Sequence, residues 1–280
     1  MRLTPSGFTR HRSGVKLISH WREYVAEAIA LALFMVSASL FTTLLEHYQS
    51  PLRTLVPDPL MRRTLMGVAM GLTAAAIIYS PIGARSGAHM NPSVTLAFLR
   101  LGKVARGDAL LYIVAQFSGG LVGMLVAHGV LGELLAEPAV EFVATRPGNA
   151  GELAAVAGEI AISFLTMSLL LRVAAHPRTM RWTGAVAAVL VMLNITFEAP
   201  LSGMSMNPAR SFGPAVLAGR YDGLWIYFVA PPLAMVMAAE VFRRRRARAM
   251  PCAKLNHSES VRCIFCGHEP RAKNPVACIN

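Results

Sequence analysis

The chain has 280 residues, 54% of them hydrophobic and 15% charged. A soluble domain of this size carries about a quarter charged residues, so the composition excludes an ordinary soluble enzyme or binding module and points to a polytopic membrane protein. Lys and Arg number 27 against 15 Asp and Glu, a formal charge of +12, but they lie outside the apolar stretches. That placement reads as a positive-inside bias and not as a nucleic-acid surface.

Residues 1–22 are basic and polar and form an N-terminal segment without the features of a cleavable signal peptide, because the first apolar run is long enough to span. A spanning helix needs about 20 mostly apolar residues. Six stretches qualify: 24–45, 64–80, 108–131, 152–174, 182–198 and 223–242. Two shorter apolar pieces, 91–99 and 207–218, each begin at Asn-Pro and are too short to cross. The organisation is therefore three spans and a half-span over 23–131, a connecting loop over 132–151, the same unit again over 152–242, and a basic, Cys-containing tail over 243–280. The expected fold is all-α and membrane-embedded, with six transmembrane helices plus two half-helices in an inverted repeat.

Orientation follows from the short connections. Arg2, Arg10, Arg12, Lys16 and Arg22 precede the first span, Arg85, Arg100, Lys103 and Arg106 lie in 81–107, and Arg172, Arg178 and Arg181 lie in 172–181. The last span stops at four consecutive arginines from Arg243. The 132–151 loop instead carries Glu133, Glu137 and Glu141 against Arg146, and only Arg53, Arg62 and Arg63 cut across the pattern. Both termini are expected in the cytoplasm, and an odd number of spans between the copies inverts the second.

The two half-spans share a motif. Ser86-Gly87-Ala88-His89-Met90-Asn91-Pro92-Ser93 is answered by Ser202-Gly203-Met204-Ser205-Met206-Asn207-Pro208-Ala209. Asn is a strong helix N-cap and Pro suits the first helical position, where its missing N–H costs nothing. One such pair could simply start an ordinary helix. Two, each behind Ser-Gly at the same offset, are expected to aim two positive helix ends and two Asn side-chain donors at one midplane point. Irregular backbone at that depth is tolerated only where it lines a polar cavity or is buried in protein.

SGAHMNPSVTLAF at 86–98 and SGMSMNPARSFGPA at 202–215 resemble the two motifs of the aquaporin, or major intrinsic protein, family, and the resemblance covers roughly residues 22–243. Glu27 and Glu159 match the family's buried acidic residues that brace the half-helix loops, with an interfacial position as the alternative for Glu27. Ala115-Gln116 also fits, and His89 is expected to line the inner loop or contact backbone. The resemblance implies a homotetramer in the cell (inner) membrane, with one passive pore per protomer that excludes protons and ions.

The family's selectivity-filter positions fall on Met70 or Gly71 (the 81–85 stretch holds one extra residue), Ile195, Met204 and Arg210. Apolar walls with one cation favour small uncharged polyols or hydroxylated metalloids beside water, similar in character to plant channels of the nodulin-26-like type. Ser211, Ala215 and the Tyr227-Phe228 pair instead resemble water channels, and Ser93 replaces the usual Ala. The expected permeants are water and small neutral solutes such as glycerol. The alternative is a polyol or arsenite-type metalloid facilitator with water as a minor permeant, and a coupled secondary transporter stands further off. An enzyme finds no catalytic pair in the motifs. In the tail, Cys263, Cys266 and His268 have the inner spacing of a zinc knuckle, against a default of a basic tail with no cofactor, apposed to anionic lipid and not to nucleic acid.

Overall fold

The computed structural model describes residues 19–176, 178–245 and 252–270. The expectations for Arg2, Arg10, Arg12, Lys16 and Arg246 fall outside them. Every regular element among the described residues is helical. Six helices are long and apolar enough to cross a membrane: α1 (Trp21–Glu46), α3 (Pro59–Tyr79), α6 (Arg106–Leu131, continued as a 3-10 turn to Leu135), α7 (Glu152–Ala174), α8 (Thr183–Phe197, preceded by the Met180–Trp182 turn) and α11 (Leu224–Arg244). They coincide with the six apolar stretches of the sequence. The half-helices are α5 (Pro92–Arg100) and α10 (Pro208–Ala218), and α2 (Pro51–Leu55) lies between α1 and α3.

Two further elements carry no helical signature in the sequence. The segments entering the motifs form the short helices α4 (Pro81–Ser86) and α9 (Ala199–Ser202). Each ends on a glycine in the left-handed region, Gly87 at φ 97° and Gly203 at φ 76°, where a side chain would be strained. The Ser-Gly pairs are thus helix C-caps.

The contacts repeat with a two-fold logic. In the first half α1 packs on α6, and in the second α7 packs on α11; α3 meets α8 across the pseudo-axis. The half-helices exchange partners, α5 lying on α11 of the other half and α10 on α6 of the other half. Neither half can therefore bury its broken helix without the other.

Close approach of α1 and α6 rests on small residues, as expected where lipid removes any hydrophobic drive between helices. A Cβ at Gly119 would collide with the Ala28 carbonyl, and one at Gly123 would sit 2.6 Å from the Ala32 carbonyl oxygen. Both obstacles are backbone. Gly119→Val is therefore expected to cost about 1–3 kcal/mol by overpacking, whereas Gly129→Val on the same helix meets nothing within 4 Å. Thermal unfolding midpoints of the two purified variants check this: Gly119→Val should melt several degrees lower, and equal midpoints would refute the close approach.

Candidate functional site

The two motifs meet in the interior. Asn91 Oδ1 accepts from the Ser93 amide (2.8 Å), and Asn207 Oδ1 accepts from the amides of Ala209 (3.1 Å) and Arg210 (3.2 Å). Each Asn therefore caps its own half-helix, with Pro92 and Pro208 at the first helical position. The amide nitrogens cross over. Asn91 Nδ2 donates to Met206 O and Asn207 Nδ2 donates to Met90 O, both at 2.7 Å. The capping argument alone leaves each NH₂ wholly free as a donor. In the structure one of its two hydrogens is committed to the opposite loop, because the two chain reversals lie in contact. One hydrogen on each remains.

The approach to each Asn is strained in the same register. Gly87, Ala88 and Met90 have positive φ, as do Gly203, Met204 and Met206, four, three and one positions before the Asn. Non-glycine residues rarely occupy that region without being over-determined by their surroundings. The surroundings here are two buried carboxylates. Glu159 Oε1 accepts from the Ser205 amide (2.6 Å) and Ser202 Oγ (2.9 Å), while Oε2 accepts from the Met206 amide (2.8 Å). Glu27 Oε1 accepts from the Met90 amide and from Gln116 Nε2 (2.8 Å). Both glutamates are fully buried in the protein.

A second symmetric brace lies outside the motifs. Tyr112 Oη donates to Ser86 O and Tyr227 Oη donates to Ser202 O, both at 2.6 Å. The tyrosines play equivalent parts in α6 and α11, although at the motif offset Tyr112 falls opposite Phe228, one position past Tyr227. Tyr227 is thus more than a mark of resemblance to water channels: it holds the second loop. Phe228 packs against Phe117.

A cavity of about 400 Å³ runs along the axis, from Glu46 and Arg63 at one end, past Asn91 and Asn207, to His89 and Leu255 at the tail side. Met70, Ile195, Met204 and Arg210 all line it. Gly71 does not: it faces α8, where a Cβ would lie 2.7 Å from Ala188 O. Of the two alternatives on α3, Met70 is the one turned to the cavity, because the Gly71 face packs on α8. Ser93, buried in the first turn of α5, leaves its hydroxyl without a hydrogen-bond partner among the described residues.

Arg210 is positioned by a loop that the sequence marks only as a connection. Residues 141–143 turn through the left-handed region and bring the 132–151 segment into the mouth. Arg210 Nη1 donates to Val143 O (3.3 Å) and to Thr145 Oγ1, which also accepts from Ser211 Oγ (3.1 Å). Ser211 Oγ meets Ser205 Oγ at 2.6 Å, so the residue beside Arg210 ties the loop, the half-helix and the motif together.

His89 Nδ1 meets Thr95 Oγ1 at 3.0 Å and its Nε2 meets the Ala253 carbonyl of the tail at 2.8 Å. The tail residues Cys263, Cys266 and His268 are not brought together as a set. His268 Nε2 bonds to Glu259 O (2.9 Å), and the side chains that converge are Cys252, His257, Cys263 and Cys266. The chain turns at Gly267 (φ 74°) and carries His268 past the cluster.

The loop geometry makes Glu159 decisive. Glu159→Ala would leave the Ser205 and Met206 amides buried and unpaired, each costing about 1–3 kcal/mol. It is expected to yield no monodisperse protein on size-exclusion chromatography. Tyr227→Phe removes one bond, about 1 kcal/mol, and should yield folded protein with a lower midpoint. Equal behaviour of the two variants would show that the carboxylate does not hold the loop.

Residues 14–242 match the family model described as Major intrinsic protein. The chain is 36% identical over 195 residues to a probable NIP-type aquaporin of Nicotiana alata, covering 69% of this chain and 70% of that one. It is 34% identical over 200 residues to nodulin-26 of Glycine max, covering 70% and 72% respectively. The X-ray structure of the aquaglyceroporin from Plasmodium falciparum superposes with a TM-score of 0.65 at 17% identity, over 80% of this chain and 95% of that one, a likeness of fold. With its six apolar spans and its paired Asn-Pro half-helices, the chain belongs to the major intrinsic protein family of multi-pass membrane channels.

Proposed function

We propose that the channel passes water and small uncharged solutes such as glycerol, passively and without a cofactor, while excluding protons and ions. The observation that carries this reading is the lining of the Arg210 end of the cavity: Met70, Ile195 and Met204 on the walls, with one guanidinium held in place by Val143 and Thr145. Arg210 offers donors to a hydroxyl oxygen while the solute's carbons rest on the three apolar side chains. A strict water pore would need a further polar wall to replace hydration, and Ile195 supplies none.

The positive ends of α5 and α10, with the remaining hydrogen of each Asn amide, oppose cations at the midplane. They also orient a water oxygen so that it cannot relay a proton, the kind of electrostatic barrier that aquaporin-type pores use in general. Three apolar filter walls also favour the second reading, a polyol or arsenite-type metalloid facilitator with water as a minor permeant. A coupled transporter lacks comparable support, since its relay candidates Glu27 and Glu159 are engaged with loop amides. The assembly fitting this role is a homotetramer in the cell (inner) membrane, with the arginine-rich end of α11 and both termini in the cytoplasm; nucleic acid has no part in it.

Stopped-flow light scattering of proteoliposomes tests the reading. Shrinkage in an impermeant sugar gradient and re-swelling in a glycerol gradient should both exceed empty liposomes. Rapid sugar-driven shrinkage with glycerol entry no faster than in empty liposomes would overturn the solute part. Ile195→His should lower glycerol entry relative to water by about tenfold, the scale of one lost apolar contact in a snug site. Arg210→Ala should raise urea and glycerol entry relative to water, and an unchanged ratio would remove Arg210 from the filter.

A further inference from the structure

The described part of the tail, residues 252–270, contains no helix or strand, yet Cys252, Ala253, Lys254, Leu255 and Cys263 are buried. It is seated on the first motif. The Leu255 amide donates to Gly87 O (3.1 Å), Lys254 Nζ donates to Ala84 O (2.6 Å), and Asn256 Nδ2 donates to Ile78 O (3.3 Å). His89 bonds to Ala253 O, and the Phe265 ring stacks on the His89 ring at 5.5 Å and 11°. Leu255 itself lines the pore cavity at its tail end. These contacts take up carbonyls that the C-terminal ends of α3 and α4 leave without helical partners.

A segment so short, without a backbone ladder, needs a covalent or metal staple to hold a shape. The ligand atoms of Cys252, His257, Cys263 and Cys266 all lie within 4.8 Å of one another. Cys252 Sγ is 3.3 Å from Cys263 Sγ, and His257 Nε2 is 3.2 Å from Cys266 Sγ. A zinc ion with bonds of about 2.3 Å to sulfur and about 2.0 Å to nitrogen sits in a tetrahedron with edges of about 3.5–3.8 Å. The four atoms need shift only slightly to meet it.

The Cys263–Cys266 stretch turns tightly. The Gly267 amide donates to Cys263 O (3.0 Å), and the Cys263 amide donates to His268 O (2.9 Å). The ordinary alternative, a Cys252–Cys263 disulfide, accounts for only two of the four converging side chains, and the described cysteines are free.

We propose that Cys252, His257, Cys263 and Cys266 form a zinc site, and that the zinc-held tail is a plug in the mouth of the pore, with Leu255 and Phe265 as its seat. On binding, the three thiols release their protons to solvent and the neutral imidazole coordinates through one ring nitrogen. The resulting Zn(S⁻)₃N unit carries one net negative charge. With the tail seated, flux of water and solute is slowed, and it rises when loss of zinc lets the tail leave its seat.

The plug rests on the pore reading above, and the zinc site does not, so two measurements on the full-length protein separate them. Purified with zinc present, the protein should hold about one zinc per protomer by elemental analysis, and with Co²⁺ in its place it should show visible thiolate–cobalt absorption. The double variant Cys263→Ser with Cys266→Ser should lose both, and His268→Ala should keep both. Far less than one zinc in the native protein, or zinc retained by the double variant, would overturn the site. In proteoliposomes, deletion of residues 247–280 should raise water permeability severalfold. Leu255→Ala with Phe265→Ala, which leaves all four ligands, should do the same while retaining zinc. Equal and rapid flux in all three proteins would overturn the plug. Flux at the level of empty liposomes in all three, with each folded, would overturn the plug together with the pore reading and leave the zinc result standing.

Discussion

Each half-helix starts in the middle of the protein, and the residues leading into it carry backbone N–H and C=O groups that no helix satisfies. At membrane depth each such group left bare costs several kcal/mol. The rest of the structure is organised around meeting that demand. Glu159 and Glu27 accept the amides, Tyr112 and Tyr227 donate to the carbonyls of Ser86 and Ser202, and each Asn amide donates across to the other loop. With these partners in place, the left-handed turns at Ala88, Met90, Met204 and Met206 are held against their strain.

The same constraint explains why two copies are needed. The exchange of half-helices, α5 onto α11 and α10 onto α6, places each loop against the span that braces the other half. Duplication with inversion also brings two positive helix ends to one point, an arrangement a single copy cannot make. In the proposed function a cation meets that barrier at the midplane, whereas a neutral solute meets only the walls set by Met70, Ile195, Met204 and Arg210. Selectivity by charge then arises from the scaffold, and selectivity by size and polarity from a few side chains that could vary without disturbing it.

The tail side follows a similar rule. The carbonyls of Ile78, Ala84 and Gly87 lie where α3 and α4 end, and the 252–256 segment satisfies them as solvent otherwise would. A segment that competes with water for those acceptors is held by modest forces. Its seat is therefore sensitive to whatever stiffens or loosens the segment itself.

The amino-acid sequence by itself determined the six spans, the two broken helices and the caps that start them, because apolar run length and Asn-Pro are local signals. The repeat of Ser-Gly before each Asn also made the inverted pair legible, while Glu27 and Glu159 were pointed to by the family resemblance. Only the tertiary structure decided that Met70 and not Gly71 faces the cavity, since that depends on which side of α3 packs on α8. It alone brought Thr145 and Val143 to Arg210, committed each Asn hydrogen to the opposite loop, and assembled Cys252 and His257 with Cys263 and Cys266 in place of His268. These are meetings between residues distant along the chain or separated by a turn, such as Lys254 and Ala84 at 170 positions. No local pattern encodes them, because they are set by how whole helices and loops pack.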